Sequence, residues 1–404
     1  MRRPDCSAGG DRSPEGGGRS VDPDHRGCTV SHAPSQQASP DGTVPHTEPV
    51  QPEIGRVLHP DGTATGPFPD PLADPDRLVG LYRGMVLART FDEKAVSLQR
   101  TGRLGTYASS LGQEAVSVGT AAAMDEADVF APSFREHGAQ LWRGVMPEDL
   151  FLYWGGDERG SAFEGPKRDF PVCVPVATHF PHAVGAALAL KLDGGTSVAV
   201  AIGGDGSTSK GDFYEALNLA GAWRLPAIFV ISNNQWAISV PRQAQTASRT
   251  LAQKAVAAGI PGWQVDGNDV VAVASCVGEA IARAREGAGP TMIEALTYRL
   301  GDHTTADDAR RYRSDEEVSG HWKEEPLTRL RTYLANEGHW DKDREEALIR
   351  EVRQRIDEAA EHYLSTPPQP PEAMFAHLFA TLPAPLEDQV RSIGGDAGNG
   401  ETSP

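Results

Sequence analysis

Residues 198–240 read VAVAIGGDGSTSKGDFYEALNLAGAWRLPAIFVISNNQWAISV, and the fold is decided within them. Two apolar runs, Val198–Ile202 and Ala227–Ile231, stop at polar residues: Gly204-Asp205-Gly206 after the first, Asn233-Asn234 after the second. Unbroken apolar runs of this length suit strands that are covered on both faces. Between them Phe213, Ala216, Leu217 and Ala220 share one face at helical spacing. This is a strand–helix–strand unit, and its right-handed crossover brings both strand ends to one edge of a parallel sheet. Asp205 and Asn234 should therefore emerge side by side at the carboxyl edge, where open α/β sheets bind ligands. The predicted fold is α/β, a mostly parallel sheet with helices on both faces.

The chemistry at that edge asks for a hard cation carrying a phosphate. Asp205 offers a carboxylate, Asn234 an amide oxygen, and the following backbone near Trp236 a third oxygen. Magnesium takes such ligands in near-octahedral geometry and completes its shell with water and substrate phosphates. Gly204 and Gly206 let the backbone approach a diphosphate, and the next helix would turn its first amides to the anion. Rival glycine-rich readings fail. Gly206 and Gly211 have phosphate-loop spacing, but Asp212 stands where lysine is required. A calcium loop needs glycine where Lys210 stands.

The composition fits this reading. A net charge of −18 over 404 residues disfavours nucleic acid as a partner, because phosphate contacts need clustered cations. Cys6, Cys28, Cys173 and Cys276 have neither metal-ligand nor redox spacing. The longest apolar stretch, 183–204, is cut by Lys191 and Asp193, so no membrane span is expected. Arginines near the N-terminus lack an apolar region behind them, and Asp5, Asp11 and Glu15 argue against a transit peptide. The expected location is the cytoplasm.

Residues 1–72 are rich in Gly, Pro, Ser, Asp and His and have almost no apolar periodicity. Such a segment buries too little surface to offset its ordering entropy, and disorder is expected. His25, His32 and His46 read as part of a solvated tail. The domain proper is expected over 73–387, with a disordered tail over 388–404. Helical spacing opens at Asp74-Pro75 and runs to Arg100, with further helices over 113–124, 136–143, 180–192, 270–286 and 343–364. A strand is expected over Thr291–Tyr298. Ser314 with Glu317 reads as a capping box, and Pro326 as a helix restart running to about Leu334.

The chain resembles a known family at these same residues. Gly-Asp-Gly, the EALN helix and Asn-Asn form a thiamine-diphosphate signature, and the surroundings look like the alpha subunit of two-component 2-oxo acid dehydrogenases. The likeness includes GRLGTYASSLGQEA (102–115), FREHG (134–138), PVATHFPHAVG (175–185), TLAQKAVAAGIPGWQVDGND (250–269) and TYRLGDHTTADDARRYR (297–313), in consistent order over about residues 75–385. It implies thiamine diphosphate held through magnesium by Asp205, Asn234 and the Trp236 carbonyl. Gly204, Gly206, Ser207 and Ile238 would line the cofactor. Arg135 would pair with the diphosphate, and Phe134 replaces the family's common tyrosine. Val174 and Val176 belong to the segment that wraps the aminopyrimidine, with Val176 beneath the bent cofactor. Thr178 matches a position used by some members for potassium. His303 is the expected active-site histidine, followed by Thr304 where the family carries a phosphorylatable residue.

The same resemblance implies what lies elsewhere. In two-component relatives the glutamate that activates the cofactor comes from the beta subunit, so an alpha2-beta2 heterotetramer with the site at an interface is expected. The reaction would be oxidative decarboxylation of a 2-oxo acid, with acyl transfer to a lipoyl acyltransferase. TSKGDFYEALN and TLAQKAVAAGIPG look closer to pyruvate-type chains, whereas HTTADD also occurs in branched-chain ones. Pyruvate is favoured, with 3-methyl-2-oxobutanoate as the alternative. A non-catalytic thiamine-diphosphate-binding regulator is the reading from another class; such a module has no need of His303.

Overall fold

The two apolar runs become neighbouring strands of a five-stranded parallel sheet in the computed structural model, which describes residues 54–396. The strands of the chain are β1 (Val129–Pro132), β2 (Ala199–Gly204), β3 (Ala227–Asn233), β4 (Trp236–Ala237), β5 (Val240–Pro241), β6 (Gly262–Asp266) and β7 (Thr291–Leu296). The large sheet runs β1-β2-β3-β7-β6, and β4 with β5 makes a small antiparallel ribbon beyond the end of β3. Period-two alternation divides each central strand between two cores. Ala199 and Ala201 of β2, with Phe229 and Ile231 of β3, meet Phe180, Phe213 and Leu217 from helices His179–Leu192 and Gly211–Ala222. Val200, Ile202, Ile228 and Val230 point the other way, onto Val273, Val277 and Ile281 of helix Val270–Arg285. Gly204 pairs with Ser232 in the β2–β3 register, so Asp205 and Asn234 do leave the sheet together.

A third core lies beside the sheet. Helix Pro75–Arg100 packs Leu81, Met85 and Phe91 with Leu348, Val352 and Ile356 of helix Lys342–Ser365. Among the elements that escaped the sequence reading are helix Pro147–Trp154 and the sheet strands β1 and β6. Each strand is short, and β1 ends on a proline, so neither stands out by its pattern. Ser314 does cap helix Asp315–His321 by accepting from the Glu317 amide at 3.2 Å. Half of the capping box is missing, because the Glu317 carboxylate instead accepts from the Tyr298 hydroxyl (2.7 Å) and the Trp236 indole (3.3 Å).

The expected disorder up to residue 72 is wrong for residues 54–72. Gly55 forms a parallel bridge to Val265 on the outer edge of β6. Asp269 caps helix Val270–Arg285 with one carboxylate oxygen, and with the other it accepts the amides of Val57 (2.7 Å) and Leu58 (2.6 Å). Leu58 is completely buried and Leu72 nearly so. A few apolar anchors and one shared carboxylate order a strap whose composition is otherwise loop-like. The rest of the predicted tail, residues 1–53, lies outside the described residues. At the other end, 388–396 belongs to helix Ala384–Asp396, a correction to the expected C-terminal disorder, and 397–404 is likewise outside. The other sheet edge is also occupied: the Phe170 amide donates to the Phe130 carbonyl of β1 at 2.8 Å.

Leu58→Ala should lower unfolding free energy by about 2–5 kcal/mol, the range for a buried leucine truncated to alanine. Urea unfolding checks it, and an unchanged midpoint would show that the strap is not docked. Among the described residues no helix is long and apolar enough to cross a membrane.

Candidate active site

A cavity of about 610 Å³ opens at the carboxyl ends of β2 and β3. Its wall brings together Phe134, Arg135, Val174, Val176, Gly204, Asp205, Gly206, Ser207, Asn234, Trp236, Ile238 and His303, from five separate parts of the chain. Of the residues singled out in the sequence, only Thr178 is off the wall. Its amide donates to the Pro175 carbonyl at 3.2 Å, just ahead of helix His179–Leu192.

Asp205 opens a single 3-10 turn, Asp205–Ser209, that stands between β2 and helix Gly211–Ala222. The expected helix N-terminus is thus displaced by one turn. Gly206 tolerates no side chain there, since an added Cβ would lie 2.7 Å from the Ala237 Cβ. The Asp205 carboxylate is buried, and its one side-chain hydrogen bond comes from the neutral Gln245 amide at 2.7 Å. Burial raises its pKa above the usual carboxylate range, against the smaller lowering from the Gln245 bond and the charge of Arg299. A buried carboxylate with no bonded cation is costly unless a positive charge joins it.

Two further oxygens flank it. Gln113 Oε1 accepts from Asn234 Nδ2 at 2.8 Å, and the Trp236 amide donates to Asn234 Oδ1 at 3.2 Å, which fixes the orientation of the Asn234 amide. The Trp236 carbonyl accepts from Arg299 Nη1 at 3.2 Å. Arg299 also donates to the Ile238 carbonyl (2.9 Å) and the Tyr312 hydroxyl (2.7 Å). It thereby pins a loop in which Gln235 (φ 72°) and Ile238 (φ 56°) adopt left-handed backbone. For a β-branched residue such as Ile238 that conformation is strained, and strain of this kind gathers at functional sites. Among the described residues no group of three His, Cys, Asp or Glu side chains could hold a metal. The candidate ligands are instead one carboxylate, one amide and one peptide carbonyl, a hard oxygen set.

Positive charge gathers beside the cavity as well. Arg135 is buried, bonds the Ser109 carbonyl, and reaches the His303 carbonyl at 3.0 Å and its Nδ1 at 3.2 Å. Burial and the repulsion of Arg299 pull its pKa down to about 10. Neither guanidinium is hydrogen-bonded to a carboxylate; Arg135 lines the cavity, whereas Arg299 is buried against the Trp236 and Ile238 carbonyls, so positive charge lies on and just beneath the wall, a setting for an anion. His303 lies between them. Burial, then Arg135 and Arg299, lower its pKa to about 4, so the ring is neutral at pH 7. Because Nδ1 accepts from Arg135, the ring proton is assigned to Nε2. The loop that carries His303, Asp302 to Arg313, has many charged and few apolar residues. Its anchors are polar: Asp307 takes the His303 amide at 3.0 Å, Thr305 pairs with Tyr107, and Arg313 bonds the carbonyls of Arg299, Leu300 and Gly301.

The mouth of the cavity is apolar and open. Val174, Val176 and Ile238 are 53%, 46% and 54% exposed, while Phe134 meets His303 edge-on at 6.1 Å. Glu136 is the one glutamate on the wall, and Ser133 and the Arg135 amide engage its Oε2. The sequence reading missed Gln113, Gln245 and the part played by Arg299. Gln113 and Arg299 stood within quoted motifs, yet nothing in spacing reveals that one orients Asn234 and the other holds the Trp236 loop.

The chain belongs to the dehydrogenase E1 component family, which matches residues 82–372. It is 42% identical over 348 residues to a protein of Mycobacterium tuberculosis named 3-methyl-2-oxobutanoate dehydrogenase subunit alpha, covering 86% of this chain and 93% of that one. It is 40% identical over 339 residues to the pyruvate dehydrogenase E1 component subunit alpha of Staphylococcus aureus, covering 83% and 91%. Membership in this family implies dependence on thiamine diphosphate.

Proposed function

We propose that this chain is the alpha subunit of a 2-oxo acid dehydrogenase that decarboxylates its substrate oxidatively and passes the acyl group to a lipoyl acyltransferase. The observation that carries this reading is a buried Asp205 with no bonded cation on the wall of a cavity that also holds the Arg135 guanidinium, itself without a hydrogen-bonded carboxylate. That arrangement fits a metal diphosphate: cation to the acid, anion to Arg135. Asp205, Asn234 and the Trp236 carbonyl would hold magnesium. Arg135, with the backbone of Gly204, Gly206 and Ser207, would hold the diphosphate. Val174, Val176, Ile238 and Phe134 would form the apolar walls. Thr178 lies off the wall, and the reading carries no potassium site.

Thiamine diphosphate, when bound, supplies the carbanion chemistry that decarboxylation requires. The chain's own part is to grip the diphosphate, exclude water with its apolar walls, and present a proton at His303 Nε2 to an arriving acceptor. The half-exposed mouth suits a beta subunit that closes it and brings the activating glutamate, in an alpha2-beta2 assembly placed in the cytoplasm. Pyruvate is the favoured substrate on sequence wording. The branched-chain 2-oxo acid is the second reading, supported by the name of the Mycobacterium tuberculosis relative.

Coexpression with a beta chain and turnover of pyruvate, 3-methyl-2-oxobutanoate and longer 2-oxo acids test the proposal. A preference for one acid assigns the substrate. No turnover of any, with no thiamine-diphosphate binding, would remove the reading.

A further inference from the structure

Lys254 is 5% exposed, and among the described residues its ammonium makes no salt bridge. Its partners are neutral. Nζ donates to the Thr208 carbonyl at 2.8 Å and to the Thr208 hydroxyl at 3.0 Å, and it stands 5.3 Å from the centre of the Tyr214 ring. The Thr208 hydroxyl in turn donates to the Asp205 carbonyl at 2.8 Å. Lys254 therefore grips the far end of the same 3-10 turn that begins with Asp205 and carries Gly206 and Ser207 to the cavity wall. It comes from behind, on the short helix Lys254–Ala257 that follows the β4–β5 ribbon.

A buried ammonium is expensive to desolvate, and hydrogen bonds to a hydroxyl and a carbonyl repay only part of that cost. A neutral side chain of similar length would fill the same space, and the Thr208 hydroxyl already has an internal acceptor. What the charge adds is a field, which in a water-poor interior reaches further than in solvent. Its direction is set by the turn: the positive charge lies behind the segment whose front face meets the cavity. Resting on the proposed cofactor, we propose that Lys254 is a positioning residue for the diphosphate, a buried cation that polarises the Asp205–Ser209 turn toward an anion without touching it. Arg135 acts from the cavity wall itself, and Arg299 from its buried place against the Trp236 and Ile238 carbonyls.

The prediction is a dependence on ligand charge. In the assembled enzyme with magnesium, Lys254→Met should weaken thiamine diphosphate by tenfold or more by calorimetry, thiamine monophosphate by a smaller factor, and thiamine by less than twofold. Lys254→Arg should restore most of the diphosphate affinity. Thr208→Val, which keeps the cation and removes only the hydroxyl, should weaken the three ligands by one common small factor. Thermal unfolding without ligand reports on the fold of each variant. Equal losses for all three ligands in Lys254→Met, or no loss, would overturn the role while leaving the cofactor assignment standing. Failure of the wild-type enzyme to bind thiamine diphosphate would overturn both.

Discussion

Asp205→Ala should abolish retention of thiamine diphosphate and leave the sheet with its covering helices folded. Residues that merely orient a metal ligand cost about 10–100-fold in metal affinity when lost. Removal of the one charged ligand in the proposed set should exceed that, at least about a hundredfold. The effect on the bare protein should be opposite in sign. Burial disfavours the Asp205 carboxylate, and only Gln245 donates a side-chain hydrogen bond to it. Without cofactor the alanine variant should unfold at a temperature no lower than wild type, because an unpaired buried carboxyl has been removed. Calorimetry with thiamine diphosphate and magnesium, beside thermal unfolding with and without both, gives the two readouts. Undiminished affinity would exclude Asp205 as the metal ligand. Retained affinity loss with a collapsed fold would mean that the carboxyl is structural.

His303→Ala should separate two steps of the reaction. A positioned proton donor contributes about 10²–10⁴-fold, so acylation of the lipoyl acceptor should fall at least about a hundredfold. Cofactor affinity should change little, because Arg135 keeps its bonds to the Ser109 and residue-303 carbonyls. In the cofactor-free chain the imidazole should titrate near 4, not at the ordinary 6.5. A diphosphate entering beside it raises that value by favouring the charged form. Thr304 also lines the cavity. Negative charge placed there by Thr304→Glu would oppose the diphosphate and should weaken its binding. Single-turnover decarboxylation and lipoyl acylation, measured separately for both variants, decide between these roles. Wild-type rates of both steps in His303→Ala would place His303 outside the reaction.

The parts of this molecule legible in the sequence were those with a long pattern. β2, β3 and the helix between them announce themselves by unbroken apolar runs and a 3.6-residue stripe, and the register of two parallel neighbours then places Asp205 beside Asn234. β1 and β6 have too few residues for such a pattern. The strap over 54–72 was misjudged because composition averages over a segment, whereas its order comes from Leu58 and one distant carboxylate, Asp269. The same holds in the site. Asp205, Asn234 and Arg135 carry their chemistry in their residue types. Gln113, Gln245, Lys254 and Arg299 act through where their side chains point, and that is a property of packing.

Both outer strands of the sheet are already spoken for: Gly55 lies along β6, and Phe170 bonds β1. Open strand edges are templates for further pairing, and proteins that leave them bare risk edge-to-edge aggregation. Here the chain is its own edge guard. At these contacts the growth of this sheet by strand addition is opposed. Conversely, a product clipped inside the strap would uncover the β6 edge and become a candidate for aggregation, even with every cavity residue intact.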